Sequence, residues 1–352
     1  MPSKLGGLLA ALLVTGAGSQ PADPLADEVA RWSAFLASHT ATDEIWPDVK
    51  AGSQPALERT GQALKDGRRH LALLRLAVAR EGPAAAAYMA EHAAAQADLA
   101  SLEAEWKRMG RELDLAAPAA AALDGLAPAA VRAVAEAALP QVRIDYQASL
   151  EYARATQPAA GLYYLGAARA QRELVAFCRS LKGAAEAPPA LRSLGPELDV
   201  QEGELLAAYR PPASIDRHRD FILASSALKE ARELDALGLR HGALLRYLLA
   251  VQRAVPLRPG FTPTPSTELR SRLQALTARL AGEHVDHTIG SLFLEAAAAD
   301  LDAAGASGPA PIASAVVSDV LPRYLAALQP ARPAPARPEP RATVTLIRWP
   351  ST

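Results

Sequence analysis

The chain carries one cysteine, Cys178, in 352 residues, so no internal disulfide can form and stability has to come from packing. Cys178 sits in the apolar stretch VAFCRSL and reads as buried filler. Aromatic residues amount to 5% and β-branched residues are scarce, which leaves little from which to build a sheet. No block of one charge runs along the chain and the formal net charge is −1; the electrostatic footprint of a nucleic-acid binder is missing. No apolar run reaches the roughly 20 residues that a membrane-spanning helix needs. A glycine-rich phosphate loop, a GxSxG elbow, a paired-cysteine motif and an HExxH motif are likewise missing, so no catalytic residue is assigned and no cofactor is expected. Lysine contributes six of the 37 basic residues, and the arginine excess reads as compositional bias before it reads as ligand recognition.

What the chain does have is roughly 80 alanines and 50 leucines, the composition of helices. Apolar residues recur at three- and four-residue spacing almost throughout, punctuated by prolines just ahead of alanine-rich runs, as at Pro83, Pro128, Pro140 and Pro158. Proline suits the first helical turn, where its missing N–H has no partner in any case. The pattern predicts helices over 23–38, 55–65, 68–81, 83–113, 127–139, 141–156, 158–182, 197–209, 213–237, 240–254, 266–303 with a break near Gly282, and 311–328. Short links favour antiparallel neighbours, so the expected fold is all-α, a stack of antiparallel helical hairpins wound as an α-α superhelix. Two proline-rich interruptions stand at 182–196 and 255–267, and PARPAPARPEPR at 330–341 reads as an extended tether. It leads to TVTLIRW at 343–349, the one strand-like segment, which is expected to be disordered, folded back on the helices or offered to a partner's sheet.

The first residues, MPSKLGGLLAALLVTGAGSQ, have the layout of a secretory signal: one lysine, an apolar stretch from Leu5 to Val14, then Thr15 and Ala17 at the −3 and −1 positions of a cleavage site. No cysteine follows it to carry a lipid, so a periplasmic or secreted chain is expected. The expected divisions are a signal peptide at 1–19, helical halves at 20–185 and 186–329, and the tether and tail at 330–352.

The most specific feature is a self-match. GRRHLALLRLAVA at 67–79 and GLRHGALLRYLLA at 238–250 agree at eight of thirteen positions, including Gly67 with Gly238, Arg69 with Arg240, His70 with His241, and Arg75 with Arg246. VAEAALP at 134–140 echoes VVSDVLP at 316–322. Related elements in the same order suggest duplication of a multi-helix block. The second copy resembles the tetratricopeptide repeat, whose second helix carries glycine, alanine, an aromatic and alanine at the spacing of Gly238, Ala243, Tyr247 and Ala250. In the preceding helix Ala231 and Leu234 match, while Ala227 stands where the family has a bulky aromatic. The likeness covers about 30 residues around 227–256, and it implies a superhelix of hairpins.

Each matched helix is greasy nearly all round except at Arg69, His70 and Arg75, or Arg240, His241 and Arg246. These six are the candidate binding residues. Arginines on such a helix must snorkel, meet a carboxylate such as Asp66, Glu230, Glu233 or Asp235, or reach into a groove toward an anionic ligand. In EHVDH at 283–287, His284 and His287 would share a helical face and approach one metal ion, with Glu283 or Glu295 as a further ligand; a polar helix start accounts for the same residues, and no metal site is assigned. Trp32, Trp46 and Trp106 read as packing anchors before sugar platforms. The function expected is that of a non-enzymatic interaction or scaffold protein of the bacterial envelope, with a peptide or protein as partner. The alternatives are a binder of small molecules or peptidoglycan fragments, and a metal-binding protein or enzyme using His284 and His287.

Overall fold

The computed structural model describes residues 23–38, 45–113, 123, 125–126, 128–181, 189–212, 214–305 and 307–328. The signal-like segment, the tether, TVTLIRW and residues 182–188 of the first interruption lie outside the described residues. Among the described residues there are helices and no strand; Pro265 and Pro309 form one isolated bridge. The fold is all-α. In chain order the helices are α1 Pro24–Ser38, α2 Ile45–Lys65, α3 Arg69–Ala79, α4 Glu81–Glu91, α5 Leu99–Leu113, α6 Ala129–Ala155, α7 Pro158–Ser180, α8 Gly195–Ala208, α9 His218–Ala236, α10 Arg240–Ala254, α11 Ser266–Ala281, α12 Thr288–Ala304, α13 Pro311–Ala315 and α14 Leu321–Ala327, the last two joined through a π turn at Val316–Val320. None is long and apolar enough to cross a membrane.

Consecutive helices pack as pairs, α2 on α3, α6 on α7, α9 on α10 and α11 on α12. Helix α6 is the hub, touching α3, α5, α7, α9, α10 and α12. The larger core draws on helices from both expected halves, from Leu25 in α1 to Tyr324 in α14. A smaller core, built around Tyr88, Leu102, Met109, Tyr146 and Leu165, ties α5 to α4 and to the far end of the α6–α7 pair. Helix α3 also packs on α12, more than two hundred residues away in the chain. The start of the stack therefore meets its end.

Two expectations about helix limits are corrected. Pro140 does not start a helix; it lies inside α6, and Pro55 lies inside α2. An internal proline costs about 3 kcal/mol, but burying one leucine-sized side chain returns roughly 1.5–3 kcal/mol, and α6 buries residues on both sides of Pro140. The continuous helix read over 83–113 is broken after α4 by a 3₁₀ turn at Ala93–Gln96. Asp98 then accepts the Ser101 N–H at 2.7 Å, which offers the chain a fresh helix start in place of continuation.

Candidate functional site

The two matched segments are built alike. Gly67 and Gly238 have φ of +73° and +76°, a region open to glycine and strained for other residues. The next residues, Arg68 and Leu239, have φ, ψ of −87°, 69° and −82°, 70°. Both turns close with the same bonds: Arg68 N–H to the Ala63 carbonyl at 2.8 Å, and Leu239 N–H to that of Leu234 at 2.9 Å. The likeness extends into the preceding helices, where Ala56-Leu57 corresponds to Ala227-Leu228 and the leucines are buried in both.

A carboxylate from a distant helix caps each matched helix. Glu295 of α12 accepts the Leu71 N–H at 2.7 Å and meets His70 Nδ1 at 2.8 Å. Glu136 of α6 accepts the Gly242 N–H at 2.8 Å and stands 3.5 Å from His241 Nδ1. The exchange is reciprocal, since the first copy is capped from the second half of the chain and the second copy from the first. Glu295 and Glu136 each occupy the eighth position of their helices and are each followed by two alanines. Burial pushes the Glu136 carboxyl up, yet His241, Arg132 and the Gly242 amide outweigh it and hold the group below the usual carboxylate range. His70 is thus bonded to the capping carboxylate of its helix, while the buried His241 ring only lies beside its own, with neither ring nitrogen hydrogen-bonded among the described residues.

The arginines separate. Arg69 donates two hydrogen bonds, at 2.5 and 2.7 Å, to Asp23 just ahead of α1, a partner that lies 46 residues away. Arg240 is bonded to the side chain of Asp235 and, at 2.9 Å, to its carbonyl. Arg246 meets Glu230 at 2.8 Å. Arg75 differs: it donates to the Arg59 carbonyl at 3.0 Å, and no carboxylate among the described residues pairs with it. Burial, reinforced by the charges of Arg59 and Arg68, lowers its pKa.

Arg75 and Arg246 line two adjoining hollows, together called the groove between α3 and α10, that share the wall residue Leu74; Arg69, His70, Arg240 and His241 line neither. One, of about 290 Å³, runs between α3 and α12 past Arg75, Leu249, Gln252, Phe293 and Ile312. The other, about 70 Å³, runs between α10 and α6 past Val78, Glu81, Gln171, Leu245 and Arg246. Val78 on the groove wall is 70% exposed, an apolar side chain left in water. Glu81 is pushed up by burial, eased by its bond from Gln171 and by Arg246. Behind it Asp145, 5% exposed, is pushed up to about 7 by burial against the bond from Gln141, with the charge of Glu81 adding to the rise. Its Oδ2 has no hydrogen-bond partner among the described residues.

The shared helical face expected for His284 and His287 is not formed. Both lie in the link between α11 and α12, where Glu283 bonds back rather than extending the helix; His284 is exposed and His287 is buried. The two ring nitrogens of His287 engage Tyr324 at 2.9 Å and Glu283 at 2.8 Å. Glu295, the conceivable third ligand, caps α3, and no group of three metal-ligating side chains occurs among the described residues. The hollow beside His287 is larger, about 490 Å³, but Asp286 in its wall is spent on the Ala129 and Thr288 amides. Trp32 is 5% exposed and bonded to Glu28, and Trp106 stacks on Tyr146, so both anchor packing. Burial pushes the Cys178 thiol up to about 12, leaving it an inert filler. No family model, no curated protein and no solved structure matches this chain.

Proposed function

We propose that the chain is a non-enzymatic interaction protein of the bacterial envelope, a tetratricopeptide-like stack of helical hairpins that binds a peptide or protein partner in the groove between α3 and α10. The observation that carries this reading is the groove itself. It lies between two copies of one duplicated helix, and it leaves Leu74 and Leu249 partly open and Val78 in water. Grooves between packed helices take apolar side chains of a partner segment, with a few polar groups fixing its register. Polar groups of that kind stand at both ends, Arg75 and Gln252 at one, and Glu81, Gln171 and Arg246 at the other. The resemblance of 227–256 to the tetratricopeptide repeat supports the binding role by analogy with the scaffold. The envelope assignment rests on the signal-like residues 1–19.

The test is selection of a random peptide library on the full chain. Binders should be enriched on the natural chain and lost on Val78→Asp at the exposed position and on Leu249→Asp at the partly buried one, with helical circular dichroism recorded on both to show that the fold persists. Enriched peptides indifferent to both substitutions, or no enrichment at all, would defeat the reading. Export is checked separately: when the chain is expressed in a bacterial host, its N-terminal sequence should begin just after Ala17.

A further inference from the structure

We propose that the hollow beside Arg75 selects a peptide segment carrying a carboxylate among apolar side chains, the carboxylate meeting the Arg75 guanidinium and the apolar groups lying against Leu74, Leu249 and Phe293. This rests on the interaction role proposed above and adds the chemistry of the partner. The argument comes from the duplication. At the Arg246 end, the scaffold neutralises its own cation: Glu230 pairs with Arg246 at 2.8 Å, and Glu81 stands in the same hollow. At the Arg75 end, both counterparts have lost their acid. Arg59 occupies the place of Glu230, and Gln252 the place of Glu81. One acid does line that hollow, Asp300, which accepts the Ala313 N–H at 2.9 Å and forms no ion pair with Arg75. The neighbouring Arg68 is satisfied by Asp66 at 3.0 Å and by Asp302. One guanidinium in a largely apolar hollow is therefore left without a carboxylate among the described residues.

The charge and shape of the groove narrow the occupant. A single guanidinium compensates a monoanion and pairs with a planar carboxylate through two parallel bonds; a dianionic phosphate would remain undercompensated. A long acyl chain entering past Arg75 would have to run beyond Leu74 onto Glu81, Gln171 and Arg246, taking water from charged groups whose remaining hydrogen-bonding capacity it cannot satisfy. A peptide brings backbone amides to that end, and Gln252 supplies one further donor and acceptor beside Arg75.

The experiment uses two labelled octapeptide pools on the full chain, one with leucine, valine, alanine and phenylalanine around a central Asp or Glu, the other identical but with Asn or Gln. Decanoate serves as a third probe. The acidic pool should bind on the order of tenfold tighter, the expected yield of one charged hydrogen-bond pair. That advantage should vanish on Arg75→Gln and persist on Arg246→Gln. If both pools bind equally and Val78→Asp abolishes both, the carboxylate preference is overturned and the interaction role stands. If neither pool binds, the interaction role falls with it. Decanoate binding that depends on Arg75, with no peptide binding, overturns the peptide as occupant.

Discussion

The α2–α3 and α9–α10 hairpins share a turn, a capping carboxylate and a buried face, and they differ in the charges around one arginine. Arg246 is paired to Glu230, whereas Arg75 has Arg59 in the equivalent place. What a duplicated unit keeps in both copies reports on folding, because both need the same glycine turn and the same satisfied amides. What one copy has dropped is open to another use. Stability effects should therefore fall on the shared features in both copies, and recognition effects on the unshared ones in one.

The largest effect is expected at the caps, and it should be unequal. Glu136 is 1% exposed and serves the Gly242 amide, Arg132 and His241 together. Its replacement by alanine leaves the buried Gly242 amide without its acceptor and removes the Arg132 ion pair, at about 3–4 kcal/mol together. Glu295→Ala acts at a cap whose side chain is 18% exposed, so it should cost about 1–2 kcal/mol. Urea unfolding of both variants measures the ratio, and equal losses would show that the caps are not graded by burial.

Next in size is the acid held behind the Arg246 end. Burial pushes the Asp145 carboxyl up to about 7 in the folded chain, against 3.8 for an ordinary aspartate. A raised carboxyl stabilises the fold fully below the unfolded value, and this contribution is lost as pH rises through the folded one. Asp145→Asn should remove that loss, so that its gain over the natural chain grows between pH 4 and 7 and levels off near 3 kcal/mol or less at pH 8. Parallel unfolding curves at pH 4 and pH 8 check it; a constant offset would mean that Asp145 ionises freely.

The copies also differ where they meet their neighbours. Leu71 in the first copy is Gly242 in the second, and a Cβ on Gly242 would come within 2.8 Å of the Glu136 Cβ and 3.0 Å of the Ala137 nitrogen. Gly242→Leu should cost about 2–3 kcal/mol by forcing α10 off α6. Gly67→Ala and Gly238→Ala should each cost about 1 kcal/mol, alike in both copies, because each must take the left-handed region. A marked inequality between these two would break the equivalence of the turns.

Much of this was legible in the sequence for a physical reason: helix class, glycine turns and duplication are written in local composition and short-range spacing. The Gly-x-Arg-His match found both turns, and Pro158 marked a true helix start. The caps were not legible, because Glu295 and Glu136 act across 224 and 106 residues. Asp23, the partner of Arg69, escaped for the same reason, while Glu230 and Asp235 were found because they lie within one hairpin of their arginines. His284 and His287 misled because spacing three on a helix means a shared face only if the helix forms. The asymmetry at Arg75 had a signal that went unused, since extending the match back through α2 and α9 sets Arg59 beside Glu230.

That asymmetry supports the smallest stability change and the sharpest test of the comparison. Arg59→Glu gives the first hairpin the acid that the second already has. Arg59 is exposed, so a new pair with Arg75 should stabilise the fold by about 0.5 kcal/mol at most, and less in high salt. The same carboxylate would occupy the guanidinium from within, so the preference for acidic over amide peptides should disappear while the apolar part of binding remains. A variant slightly more stable and no longer selective would mean that the first copy gave up its internal ion pair in exchange for an external one. If selectivity survives Arg59→Glu, the charge at Arg75 is not what the groove reads, and the difference between the two hairpins is only drift between copies.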